Sequence, residues 1–568
     1  MASGLSNRQA LPIVALLAGA LLLTAGCPAN DPSTSTSPRS ERATSSPEPA
    51  GDAATVDPEP GETQQSVSVP DASHGKPAPD SDTPLADNPA AADGGHAASD
   101  PYGDKPAVDP VAENGRIFVD WPQPQVALLI SGEQQGYLEP CGCAGLENQK
   151  GGLKRRHSLI KQLDEQGWPV VSVDLGDQIK RFGPQANIKF RKAVESLSQI
   201  GYTGVGFGPH DLRLPVEHLI GTAANLGGES PLFVSANVGL FELPSEFVAP
   251  FKVVEAGGRR IGITSILGPS HLGAINNDGI QIIPAEEGLQ KALPELRQQA
   301  DFLVLLSHAT PAESRELAAK FPEFDIVVTA GGAAEPPREP TMLDGGKTRL
   351  VEIGHKGMYV AVLGLYDDPQ TPIRYQRVPL DARFPDSPAM QQMLVEYQQE
   401  LKEIGLGGLV PLDTPHPSGR KFVGSATCLE CHTMAGDTWK NTPHAHATET
   451  LTKLDPPRQF DPECISCHAT GWEPQKYIPF ASGFRDLSQT PHLVTNGCEN
   501  CHGPGSDHVA AQMGDVDVDD ARMKELQEQM RVTLAEAEAK CLECHDLDNS
   551  PDFNFETYWP EVEHHGKE

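Results

Sequence analysis

Four C-x-x-C-H motifs lie between residue 428 and the C-terminus at residue 568, and they constrain the fold more than any other feature of the chain. They read Cys428-Leu-Glu-Cys431-His432, Cys464-Ile-Ser-Cys467-His468, Cys498-Glu-Asn-Cys501-His502 and Cys541-Leu-Glu-Cys544-His545. In such a motif both thiols add to the vinyl groups of a haem, and the adjacent histidine lies under the ring as the proximal iron ligand. A lone C-x-x-C serves zinc or a disulfide equally well. Four copies, each with histidine in the same place, predict four covalent c-type haems. The protein between the motifs has few long apolar runs, so the cofactors must supply much of the core. Short helices and loops wrapped around stacked haems are the expected local structure. Met523, Leu526, Met530 and Leu534 follow helical spacing and predict one helix leading into the last motif, as packing residues rather than iron ligands.

The sixth iron ligand decides what each haem can do. A second histidine closes the iron and leaves outer-sphere electron transfer, whereas an open position permits chemistry on a small nitrogen or oxygen species. Candidate distal histidines are His444 and His446 in TPHAHA, His508 in HGPGSDH, and His564 or His565 in EVEHHGKE, with His492 as a weaker one.

Export and tethering are written into the N-terminus. Arg8 precedes an apolar run from Leu11 to Leu23, followed by Thr24-Ala25-Gly26-Cys27. This is a secretory signal too short to span a bilayer comfortably. A cysteine directly after small residues resembles the bacterial lipoprotein box, which would place lipid on Cys27 and hold the chain on the periplasmic side of a membrane. From residue 28 to 118 the composition is Pro, Ala, Ser, Thr, Asp and Glu, with 16 acids against 5 bases. Such a segment cannot bury enough apolar surface to fold and reads as a disordered acidic tether. The whole chain carries a formal charge of −34, which excludes nucleic acid as a natural partner.

Residues 421–568 as a block are similar to a known family. FVGSATCLECH, TPHAHATETL, CISCHATGW, GCENCHGPGSDHV and FNFETYWPEVEHHG resemble, in order, the tetrahaem cytochrome c domain of the family that includes the electron carrier of ammonia-oxidising bacteria. The resemblance implies mostly bis-histidine haems, with His444, His446, His508 and one of His564 and His565 as distal ligands. The block has 26 acids and 11 bases, a charge that would steer it toward a basic redox partner.

Between residues 119 and 385 strand-like runs (VALLIS, VVSVDL, RIGITSIL, DFLVLLSH, YVAVLGLYD) alternate with helical segments, which predicts an α/β layered sandwich. Order and spacing resemble the calcineurin-like metallophosphatase superfamily, in particular the catalytic domain of periplasmic 5′-nucleotidases. The resemblance also shows what is missing. The D-x-H-G motif after the first strand reads Glu133-Gln134-Gln135-Gly136. The G-D motif survives as Gly176-Asp177. G-N-H-[DE] reads Gly208-Pro209-His210-Asp211, His308 stands for the fourth motif, and G-H-x-H reads Gly332-Ala333-Ala334-Glu335. Two-metal hydrolysis needs both ions held together, so the pattern implies a scaffold stripped of most ligands. Cys141 and Cys143, just beyond the altered first motif, remain open between a disulfide or buried thiols, intermolecular pairing, and a soft-metal or redox site shared with Glu133, Asp177, His210 and His308. Residues 386–420 read as an amphipathic helix, with Met390, Met393, Leu394 and Tyr397 on one face, and a linker. The expected protein is a lipid-anchored multihaem electron carrier with a phosphoesterase-like scaffold. The alternatives are a haem enzyme acting at an open iron and a residual phosphoesterase.

Overall fold

The computed structural model describes residues 108–140, 149–226, 230–343 and 345–566. Cys27, Cys141 and Cys143, the leader and most of the tether lie outside the described residues. The first long apolar run forms the strand Val126–Ser131, buried at every position. Both of its faces are covered, and that is why it reads as a continuous hydrophobic run rather than an alternating one. Val126, Leu128 and Ile130 point into a core shared with Val171, Val173, Ile261, Ile263, Val304, Leu306, Ile326 and Val328. Ala127 and Leu129 point the other way, toward Leu159, Leu163, Phe190, Leu197 and Met393.

These two cores define the layers. A seven-stranded sheet runs in the order Ile373–Pro379, Tyr359–Leu365, Val126–Ser131, Val170–Asp174, Tyr202–Val205, Phe233–Val234, Val248–Ala249. A six-stranded sheet runs Thr341–Met342, Arg349–Glu352, Ile326–Thr329, Phe302–His308, Arg259–Leu267, Lys252–Ala256. Their facing surfaces make the inner core. Helices Leu153–Glu165, Pro184–Ile200 and Pro388–Ile404 cover the outside of the first sheet. Helices Ala285–Gln299 and Pro311–Lys320 cover the second. The strands at the centre of both sheets are parallel, Ala127 opposite Val170 and Val304 opposite both Ile263 and Ile326. Their C-terminal ends therefore gather in one place, where α/β proteins build sites.

The C-terminal region is built differently. Its helices run from four residues (Ser425–Cys428) to nine (Asp520–Glu528). Its buried apolar cluster is limited to Phe422, Leu451, Ile465, Ala469, Trp472, Phe480, Phe484 and Leu493. The single helix expected over 523–541 is instead two, Asp520–Glu528 and Leu534–Cys541. Thr533 and Glu536 form a capping box that starts the second helix afresh. The stripe is thereby broken, with Leu526 2% exposed and Leu534 65% exposed. The two regions pack within one compact unit.

Candidate haem-binding sites and the strand-end site

Burial sets the state of four histidines in this region. Desolvation lowers the pKa of His502, His508 and His545 and pushes His444 down to about 4. A neutral imidazole is the form that binds a metal. Three pairs of rings face one another: His432 and His508 with centroids 6.4 Å apart, His545 and His444 at 6.0 Å, and His502 and His564 at 5.6 Å. Two imidazoles sharing one iron, each with its nitrogen about 2 Å from the metal and its centroid about 1 Å further out, stand about 6 Å apart. The spacing of all three pairs fits an iron between them.

Hydrogen bonds leave the right atom available. His468 Nδ1 donates to the Ala447 carbonyl (2.7 Å), His502 Nδ1 to the Met530 carbonyl (2.6 Å) and His564 Nδ1 to the Val562 carbonyl (2.9 Å), while His545 Nδ1 pairs with the Ser550 hydroxyl (3.1 Å). In each ring Nε2 is then the atom that points to a metal. Cys428 lies within thiol hydrogen-bond contact of Cys498, and Cys467 of Cys544, so the first motif neighbours the third and the second neighbours the fourth. None of the eight motif cysteines forms a disulfide. A cavity of about 510 Å3 lined by His444, Cys501, Cys541, Cys544, His545 and Phe553 lies at the fourth motif. These donors fit c-type haem.

The other distal candidates are placed elsewhere. His446 is 65% exposed and lies 3.6 Å from Glu449. His565 is exposed one residue beyond His564. His492 sits in the turn Pro491–Leu493, packed over Gly424.

At the strand ends of the middle region, residues 133–136 lace to residues 176–178. Glu133 N–H donates to the Gly176 carbonyl (2.8 Å), Gln135 N–H to that of Asp177 (2.9 Å) and Gly136 N–H to that of Gln178 (2.8 Å). Glu133, Gln135 and Asp177 all sit at positive φ (47°, 53° and 66°), the left-handed region that such residues rarely enter. Gly208 is required here, since a Cβ on it would come within 2.4 Å of the Asp177 side chain. His210 Nδ1 donates to both carboxylate oxygens of Asp177 (2.9 Å each), and the Asp177 partner raises the His210 pKa. Asp211 accepts from the backbone N–H groups of Asp177 (2.7 Å), Gln178 (2.8 Å) and Gly208 (3.0 Å) and so latches the loops. His308 is buried and held near 4 by desolvation, with its ring 5.3 Å from that of His271. Asp177 and His210 thus satisfy each other, and among the described residues no three histidine, cysteine or carboxylate groups are grouped to hold a metal ion. Sequence reasoning missed His355, whose Nε2 lies 3.5 Å from Glu133; its signal was a histidine in the glycine-flanked turn GHKG.

Glu133 gives this corner a pH signature. Burial, then the nearby Asp177, pushes its carboxyl up from 4.5 to about 7, and one of its oxygens has no hydrogen-bond partner. Between those two pH values the folded chain holds a proton that the unfolded chain has released, so stability falls as pH rises. The loss from this group is on the order of 3 kcal/mol and is complete above pH 7. Glu133→Gln is expected to flatten that slope in denaturant titrations at pH 5 and pH 8; equal slopes in both proteins would contradict it.

A family model described as cytochrome c554 and c-prime matches residues 427–503. Cytochrome c-554 of Nitrosomonas europaea is 37% identical over 97 residues, 15% of this chain and 39% of that protein. An uncharacterised metallophosphoesterase of Bacillus subtilis, YunD, is 27% identical over 175 residues, 30% of this chain and 36% of that protein. The snake venom 5′-nucleotidase of Gloydius brevicauda is 24% identical over 193 residues, 33% of this chain and 32% of that protein. The chain spans less than two fifths of the length of each of these relatives. Residues 427–503 thus match the cytochrome c554 and c-prime family model, C-terminal to an α/β region similar to phosphoesterases.

Proposed function

We propose that this multihaem c-type cytochrome is an exported electron carrier with four haems, tethered by lipid on Cys27 to the periplasmic side of a bacterial membrane, that exchanges electrons with a basic partner protein. The observation that carries the reading is the facing of His432 with His508, His545 with His444, and His502 with His564, which would close three of the four irons. A haem closed by two imidazoles supplies a one-electron ferric–ferrous couple and nothing that a substrate can ligate. The residues of the chain do the remaining work. The thioether cysteines fix the ring, the backbone carbonyls behind His468 and His502 orient the imidazoles, and burial keeps His444 neutral. The acid excess of the C-terminal block supports a basic partner.

In the same reading the middle region serves as a scaffold rather than a hydrolase. Its surviving Asp177 is engaged by His210, and Asp211 is spent on backbone N–H groups. Intact-protein mass spectrometry of the chain expressed with a cytochrome c maturation system tests the proposal. The expected mass exceeds that of the chain beginning at Cys27 by four haems and the lipid on Cys27, the leader having been removed. A chain carrying fewer haems, with the corresponding cysteines alkylatable, would overturn the count.

A further inference from the structure

We propose that the middle region tunes one haem in particular, the one carried by Cys464, Cys467 and His468, through the ion pair that Lys189 makes with Glu463. The inference rests on the reading above that this motif bears a haem.

The helix Pro462–His468 contains the whole second motif and little else. Its N-cap is Asp461, 5% exposed, whose carboxylate accepts from the Glu463 N–H at 3.0 Å. The same carboxylate is gripped from the middle region by three side chains on two helices. Gln185 of Pro184–Ile200 donates to it at 2.7 Å, and Gln398 and Tyr397 of Pro388–Ile404 donate at 3.0 Å and 3.3 Å. Gln185 also donates to the Tyr397 hydroxyl at 2.9 Å, which closes the cluster. One turn further along its helix, Lys189 donates to Glu463 at 2.6 Å with its side chain 10% exposed. On the other flank Arg458 pairs with Glu139, whose side chain is 6% exposed. The haem-bearing helix is therefore held at its N-terminus by buried polar contacts from outside its own region. A buried cap and a half-buried ion pair also fix its orientation, since leaving one partner uncompensated is costly.

Charge so close to a haem acts on its potential. The ferric centre carries one more positive charge than the ferrous one, so a nearby cation favours the reduced form and a nearby anion the oxidised form. Burial weakens solvent screening. Burial alone would lower the Lys189 pKa, but Glu463 and Asp461 outweigh it and keep the ammonium charged. As a pair, Lys189 and Glu463 largely cancel; separately they pull the potential in opposite directions. An isolated cytochrome region would expose Glu463 without its counter-charge, so the fused α/β region changes the electron-carrying part beyond adding bulk.

The test uses the full-length holoprotein. Intact mass first establishes the haem content of each variant, and an optical redox titration then resolves the components. Lys189→Met is expected to shift one component, of one-haem amplitude, to lower potential. Glu463→Gln is expected to shift the same component to higher potential. The double variant should return close to the starting value, and Lys189→Arg, which keeps the charge, should leave it in place. Unchanged titrations in both single variants with full haem content would overturn the proposal. So would all components moving together, or Lys189→Arg behaving like Lys189→Met. If the wild-type mass shows no haem on the second motif, the underlying assignment fails, and that is read independently of any potential. Should Lys189→Met fail to accumulate, Glu463→Gln and the charge-neutral double variant still decide the sign.

Discussion

Replacing Cys541 and Cys544 together with serine is expected to remove one haem and to unfold the end of the chain around it. The cavity at the fourth motif is about 510 Å3, and its walls include His444, Trp559 and Phe553 as well as the motif itself. That cleft opens to solvent, so without the haem it fills with water and its apolar walls lose the surface they pack against, at about 25 cal/mol per Å2 of apolar area exposed, on the order of a few kcal/mol in all. Leu534, Leu542 and Leu547 near the motif are 65%, 44% and 84% exposed, and the buried apolar cluster of the region reaches the cavity only through Phe422, Trp472 and Phe480. The expected readings are a mass lower by one haem, alkylation of no further cysteines, and a C-terminal melting transition lowered by more than about 10 °C. The middle region has its own cores around Leu128 and Leu129 and should melt as before. A variant that keeps its C-terminal transition within a few degrees would show that the polypeptide, not the cofactor, holds this region together.

How far the sequence could be read follows from where each signal resides. Covalent attachment is local chemistry, so the four motifs and their histidines stand in the linear order. The α/β layering was legible because strands buried on both faces cannot alternate, and Val126–Ile130 or Phe302–His308 could be nothing else. The 387–405 helix was equally plain, and the structure buries Met390, Met393, Leu394 and Tyr397 on one side. The break at Thr533 was less visible because the 3.6-residue spacing of Met530 and Leu534 continues across a capping box, and the box wins. Helix Pro184–Ile200 went unremarked although it is 17 residues long, since Lys189 and Lys192 stand on its buried side and blur the apolar stripe. Those same lysines are ion-paired to Glu463 and Glu396. One of the two lysines that obscured the helix, Lys189, is thus a residue that ties the two regions together, and no spacing rule links residue 189 to residue 463. Of the strand-end site, Asp177, His210 and His308 were visible as polar residues after strands. Their mutual use was not, because the Asp177–His210 contact depends on the left-handed turn at Asp177.

The doubled histidine at the C-terminus gives the sharpest test of the ligand assignment. The helix Phe555–Val562 ends at Val562, and the Val562 carbonyl takes the Nδ1–H of His564 at 2.9 Å. That bond turns the Nε2 face of His564 toward His502, whose own Nδ1 is anchored on Met530. His565 points outward and has no comparable anchor among the described contacts. His564→Ala is therefore expected to convert one haem from low to high spin, seen as a high-spin ferric signal of one-haem amplitude in electron paramagnetic resonance. The exposed iron should then bind carbon monoxide when reduced. His565→Ala should leave the spectrum unchanged, and so should His446→Ala, whose ring lies beside Glu449 on the surface. The covalent haem content should stay at the wild-type value in all three, because attachment depends on the thiols and not on the distal ligand. If His565→Ala gave the high-spin signal and His564→Ala did not, the end of the chain would have to swing by one residue on haem binding. The Val562 hydrogen bond would then belong to a ring that never reaches the iron.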